Sequence, residues 1–262
     1  MWPSTATGVR APSPPPSLLL DGPTLAAVAL LAVGAAIVSG MSGFGTGVIL
    51  TAALVPLIGV KQVIPVMAVA GIVINAGRFW FYRQHLERRT LVLVLATSLP
   101  FLVLGTWIYS ILDARALGTV LGIAVIAFVP LRRILHQRKV TISPVGLGVG
   151  SSIFGLATGV ATGTGVILVS LLLGTGIAGP AVLATDAMVS IILDLVKAAM
   201  FEKFDLLGSE ALLTGLVIGT ASIPGSAMAA WLVARMGARL HVFFMEGLIL
   251  VGGLSMLWHS WR

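Results

Sequence analysis

Uninterrupted apolar runs constrain the fold of this chain more than any other feature. They occupy about 24–39, 48–60, 62–82, 91–112 and 115–131, then about 145–158, 166–177, 180–201, 209–234 and 239–258. About 20 apolar residues cross roughly 30 Å of hydrocarbon as a helix, and lipid admits only structures that satisfy their own backbone polar groups. A transmembrane β-barrel reads as short segments of alternating polarity, whereas these runs are continuous. The totals agree, since 58% of the 262 residues are hydrophobic and 10% charged, against about 45–50% and about 25% in soluble domains. The sequence predicts an all-α integral membrane protein with about 8–10 membrane helical segments.

One block within these runs is copied. Gly45-Thr46-Gly47-Val48-Ile49-Leu50 recurs identically as Gly163-Thr164-Gly165-Val166-Ile167-Leu168, 118 residues later. Around the copies, Ser39-Gly40 matches Thr158-Gly159, and Asn75-x-x-Arg78 matches Asp194-x-x-Lys197. Trp107 with Ala114-Arg115 matches Trp231 with Ala238-Arg239. We read two transmembrane repeats, 24–135 and 145–262, joined by a basic cytoplasmic linker at 136–144. Residues 1–23, with Pro12, Pro14, Pro15, Pro16 and Pro23, are expected to form a disordered tail. The first run is not expected to be a cleaved signal, because its charged flank is Arg10 alone and its pattern recurs mid-chain. Each repeat opens with two short segments around a glycine-rich break, so a broken hairpin followed by three transmembrane helices is expected.

Charge placement gives the orientation. Lys and Arg in short loops mark the cytoplasmic side, which places Arg83, Arg88 and Arg89 inside, with Arg132 and Arg133 just before the linker and Arg138 and Lys139 within it. In the second half the loop with Glu202, Asp205 and Glu210 falls outside, and the loop with Arg235 and Arg239 falls inside. Nine Lys/Arg are then cytoplasmic against five on outer loops and tails, so equivalent loops of the halves carry opposite bias. Three full crossings per half produce that inversion, the inverted-topology repeat found in many secondary transporters. Both termini are expected outside a multi-pass protein of the plasma (inner) membrane.

Two features carry candidate chemistry. Ser42, Gly43, Gly45, Thr46 and Gly47 in the first break, and Thr162, Gly163, Thr164 and Gly165 in the second, free the backbone to unwind where a cavity receives it. The helices that restart there present N–H groups and positive dipole ends suited to an anion. The plainer alternative is that these glycines let helices pack closely. The second feature is a polar stripe: Asp186, Ser190, Asp194 and Lys197 fall within about 80° on a helix at 100° per residue. Its first-half counterpart is Met67, Gly71, Asn75 and Arg78. Arg78 and Lys197 would attract an anion, with Asn75 beside them, while Asp186, Asp194 and Glu246 are candidates for proton coupling. The alternatives are an internal ion pair, or snorkelling of Arg78 and Lys197 from their segment ends.

Other chemistries are weakly supported. The chain has no Cys, so thiolate metal sites and disulfides are excluded; no metal-ligand spacing, cofactor motif or phosphate loop appears. The net charge of +7 reads as topology signal and not as a nucleic-acid face. Gly40-Met41-Ser42-Gly43 has the G-x-S-G form of intramembrane serine proteases. Its repeat replaces Ser42, and His85, His136, His241 and His259 lie in loops or near segment ends, where a base is poorly placed. Trp80, Trp107, Trp231, Trp258 and Trp261 read as interfacial anchors.

The break Gly43-Phe44-Gly45-Thr46-Gly47, the run closing on Pro56-Leu57-Ile58-Gly59-Val60, and the duplication about a basic linker resemble the sulfite exporter TauE/SafE family of membrane permeases. The resemblance covers about 24–258 and implies movement of sulfite, sulfonates or related small organic anions by a secondary mechanism. It carries the breaks over as candidate substrate contacts. The expected protein is a non-enzymatic anion permease working in the lipid bilayer without a cofactor, with homo-oligomerisation left open. A passive anion channel is the main alternative, and an intramembrane serine protease a more distant one.

Overall fold

A computed structural model describes residues 22–40, 46–120, 123, 126, 141–177 and 179–233, and the regular structure among them is helical throughout. Its helices are α1 (Gly22–Gly40), α2 (Thr46–Ile58), α3 (Val60–Tyr82), α4 (Arg88–Ile111), α5 (Pro144–Val160), α6 (Gly165–Gly174), α7 (Pro180–Lys203) and α8 (Ser209–Val233). A 3-10 turn, Arg83–His85, joins α3 to α4. Residues 114–120 are also helical. Outside the described residues lie the proline-rich tail to residue 21, Ser42, Gly43, Gly45, most of the basic linker, and Glu246. Most of the last predicted segment of the first repeat and all of that of the second lie there too.

Local chemistry sets the helix ends. Ser143 caps α5, its Oγ accepting from the Gly146 amide at 3.2 Å, with Pro144 in the first turn where no N–H is needed. Pro180 likewise opens α7 behind Gly179, whose φ of 59° suits glycine. Asp113 Oδ1 accepts from the Ala116 amide and starts the helical stretch over 114–120.

The eight helices fall into two sets of four. Lengths run 19, 13, 23 and 24 residues in α1–α4, and 17, 10, 24 and 25 in α5–α8. Each set lends its fourth helix to the other: α4 packs most extensively on α5, and α8 on α1. One apolar core accordingly joins Val28, Leu50, Leu54 and Ile64 to Ile218 of α8, while a second joins Phe154, Leu168, Leu172 and Val189 to Val94 and Leu102 of α4. Between them α3 meets α7. Arg78 touches Asp186 while Gly71 lies against Asp194, so these two helices run antiparallel. By contrast α8 runs parallel to α3, with Gly215 on Val66 and Val69 and Gly219 on Ala70 and Val73.

Glycine does the close packing at these crossings. A Cβ on Gly159 would lie 2.6 Å from both the Leu102 carbonyl oxygen and the Thr106 nitrogen, so α5 sits backbone to backbone on α4. Gly155 meets the Ser98 backbone one turn earlier. Small residues four apart are a general means of helix association in lipid, and here Gly155/Gly159 and Gly215/Gly219 serve it.

Polarity is distributed as a bilayer demands. Phe101, Leu104, Trp107, Val145, Ile153, Leu213 and Leu216 are exposed, whereas Thr51, Thr158, Asp186 and Lys197 are buried. By length and composition, Val60–His85 and Arg88–Ile111 suffice to cross a membrane. The helix α7 matches them in length but carries Asp186, Asp194 and Lys197, which the fold turns inward.

Candidate functional site

The faces of α3 and α7 that meet are the two polar stripes. Met67, Gly71, Asn75 and Arg78 from α3 and Asp186, Ser190, Asp194 and Lys197 from α7 all line one cavity of about 140 Å³. The helical period explains why: residues 4, 4 and 3 apart return to one face, and the antiparallel crossing sets one face against the other. Gly71 permits the close approach, because a Cβ there would run into the Asp194 carboxylate.

The second break closes one wall. Ala161 ends α5, and the chain passes Thr162 and Gly163 before α6 starts at Gly165. Gly163 adopts φ 81°, a left-handed conformation that side chains rarely tolerate. Ala161, Thr162, Gly163, Thr164 and Gly165 all face the cavity. The Ile167 amide bonds the Thr164 carbonyl at 2.9 Å, while the amides ahead of it carry the positive dipole end of α6. The hydroxyl of Thr164 offers α6 no cap; it donates to Thr158 Oγ1 at 2.7 Å, whose own proton goes to the Phe154 carbonyl.

The start of α2 meets this break directly. A Cβ on Gly47 would stand 3.0 Å from the Gly163 nitrogen, and Thr162 Oγ1 donates to the Gly47 carbonyl at 3.2 Å. Thr162 also pairs with the hydroxyl of Thr51, one turn into α2. Gly47, the last glycine of the first break, therefore reaches the same chamber as the second break.

Among the described residues, four charged side chains line that chamber. Arg78 donates to Asn75 Oδ1 at 2.7 Å and forms an ion pair with Asp186 across the α3–α7 interface. Lys197, 2% exposed, lies 3.4 Å from Asp194 Oδ1 and donates to the Thr158 carbonyl at 3.2 Å. That burial leaves no room for snorkelling, which brings a side chain's head to the interface. Asp186 Oδ1 is buried without a hydrogen-bond partner among the described residues. With both carboxylates ionised the four charges sum to zero.

Of the residues singled out from sequence, Gly47, Asn75, Arg78, Thr162, Gly163, Thr164, Gly165, Asp186, Asp194 and Lys197 line the cavity together. Thr46 opens α2, while Ser42, Gly43, Gly45 and Glu246 lie outside the described residues. Thr51 carries no signal in the sequence, because its counterpart 118 residues on is Val169. The Thr158 carbonyl carries none either, since no side-chain pattern reveals it. Trp80 and Trp107 are exposed near helix ends, and Arg83 stacks 4.2 Å above the Trp80 ring.

The chamber gathers two cations, the start of α6 and threonine hydroxyls beside two carboxylates, and groups of the first three kinds are those that hold anions in proteins. Neither a curated protein nor a solved structure matches the chain. The model of the family described as sulfite exporter TauE/SafE matches residues 28–256, most of the sequence. The chain belongs to the TauE/SafE sulfite exporter family, a family of membrane permeases.

Proposed function

We propose that this protein is a secondary transporter of small anions in the plasma membrane. In this reading two inverted repeats enclose one site at mid-depth, and the anion is a sulfite- or sulfonate-like species or a small carboxylate. The carrying observation is the chamber between α3 and α7, where equivalent stripes of both sets and the glycine break before α6 converge. The inverted repeat is supported by the antiparallel meeting of α3 with α7, and by the exchange of α4 and α8 between the sets. Equivalent helices of opposite direction around a central site characterise transporters that alternate access.

Charge balance supports proton coupling. Among the described residues the chamber is neutral with Arg78, Lys197, Asp186 and Asp194 all ionised, so an incoming monovalent anion leaves them with one net negative charge. Isolated charge is costly away from water. A proton taken up by Asp194 or Asp186 restores neutrality, and anion and proton then cross together. The direction of net movement follows the sum of the two gradients.

The experiment is uptake of labelled sulfite or ethanesulfonate into proteoliposomes holding the full chain, with the outside more acidic. The expected result is accumulation above the external concentration that a protonophore abolishes. Flux no greater than in empty vesicles overturns the reading. Flux that only equilibrates the anion, with no response to the pH gradient, would establish a channel instead.

A further inference from the structure

Lys197 occupies an unusual position for an anion-binding cation. Its ammonium donates to the Thr158 carbonyl at 3.2 Å and lies 3.4 Å from Asp194 Oδ1, with 2% of the side chain exposed. Thr158 stands in the last turn of α5. The Ala161 amide still bonds Ala157 at 2.8 Å, and there the helix ends. The carbonyls from Thr158 onward therefore lack the intrahelical partner that a continuing helix supplies, and they carry its negative dipole end. A freed carbonyl at a helix C-terminus with a carboxylate facing it is the chemistry by which broken-helix transporters hold a coupling cation. Here the cation is already present and covalently attached.

We propose that this corner is a monovalent-cation site whose resident occupant is the Lys197 ammonium. The tethered charge satisfies the Thr158 carbonyl and the Asp194 carboxylate at once. The intact protein then has no use for a free alkali cation, which leaves the proton as the mobile coupling ion. Truncating Lys197 opens the site to a free cation of the same charge, ammonium or sodium, held by Asp194, the Thr158 carbonyl and water in the vacated space. Nearby groups are compatible: Thr158 and Thr164 hydroxyls can accept from an occupant, and Asp186 is engaged by Arg78 on the α3 side. The inference does not depend on which anion is carried.

The test is thermal unfolding of the purified full-length protein in detergent, at fixed ionic strength, in choline, sodium, potassium or ammonium chloride. The wild type is expected to melt at one temperature in all four. Lys197→Ala is expected to melt lower in choline and to recover saturably in ammonium or sodium. The recovery should be about 5–10 °C at about 100-fold over the dissociation constant. Asp194→Asn/Lys197→Ala is expected to show no recovery, because the anionic ligand is gone. Absence of recovery in Lys197→Ala with every small cation overturns the proposal, as does equal recovery in the double variant. The wild type gives a second test if the variant does not fold. Saturable radiolabelled sodium binding to it, or a sodium-dependent melting temperature, shows a free cation still using the site and overturns the proposal. None of these readouts requires transport, so a failure of the anion-carrier reading would be seen separately in the vesicles.

Discussion

Arg78 on α3 and Lys197 on α7 hold equivalent places in the two polar stripes, yet they make different kinds of contact. Both reach back one turn on their own helix, Arg78 to Asn75 and Lys197 to Asp194. Arg78 then crosses to Asp186 in the other set of helices, while Lys197 stays within its own set and bonds the end of α5. The reason is the residue facing each: the equivalent of Asp186 on α3 is Met67, which offers a lysine no carboxylate. A contact between the two sets must break if they move relative to each other, whereas one within a set can persist. Arg78–Asp186 thus ties the two sets together across the α3–α7 crossing, whereas Lys197–Thr158 ties two helices of one set.

Lys197→Met provides the hardest test of that difference. It leaves a carboxylate buried beside an unpaired carbonyl, and breaking a buried pair costs about 3–5 kcal/mol. Arg78 is 24% exposed at its side chain, so solvent cushions its loss. Arg78→Met is expected to cost about half as much. Chemical unfolding of both variants in detergent measures the gap, and equal costs would erase the distinction.

Gly71→Ala comes next. The added methyl displaces the Asp194 carboxylate, and overpacking of this kind costs about 1–3 kcal/mol. A drop in stability with weakened anion binding in titrations of purified protein would place Asp194 at the site. An unaffected Gly71→Ala protein would show that α3 and α7 stand further apart.

Asp194→Asn separates the carboxylates. In a one-to-one symport each pH unit drives about tenfold accumulation, and the variant is expected to fall to simple equilibration in vesicles. Retained accumulation there, with loss in Asp186→Asn, would move proton coupling to the Arg78 side of the comparison. The smallest effect is expected at Gly77→Ala on the same helix as Gly71. Beyond the backbone of its own helix, its added Cβ meets nothing within 4 Å, so stability should change by less than about 1 kcal/mol, in the favourable direction given alanine's helix propensity. Parallel melting curves for Gly71→Ala and Gly77→Ala check that contrast.

Much of the frame was legible in the residues. Apolar run length located α1 through α8, because in lipid the helix is almost the only element that closes its own hydrogen bonds. The α7 stripe was legible because four polar positions at helical spacing survive in an otherwise apolar helix only at some cost; the α3 stripe, with Asn75 and Arg78 as its polar members, followed from the duplication. Pairing was less so: Lys197 with Asp194 follows from spacing on one helix, but Arg78 with Asp186 depends on where α3 crosses α7. Glycine function was divided in a way composition conceals. Gly163 turns a break, whereas Gly155, Gly159, Gly215 and Gly219 bring helices together. The Thr158 carbonyl was invisible for a simpler reason, since every residue has one and only the helix end frees it.

We propose one chamber between α3 and α7 as the anion path, open alternately to each side of the membrane. Because the chain contains no cysteine, Ser190→Cys places a single thiol in that chamber. A membrane-impermeant thiol reagent, applied to either side of oriented vesicles, measures its access directly. The account predicts modification of the same site from both sides, slowed from each by sulfite or a sulfonate. Modification from one side alone, or at a rate indifferent to anions, would contradict it.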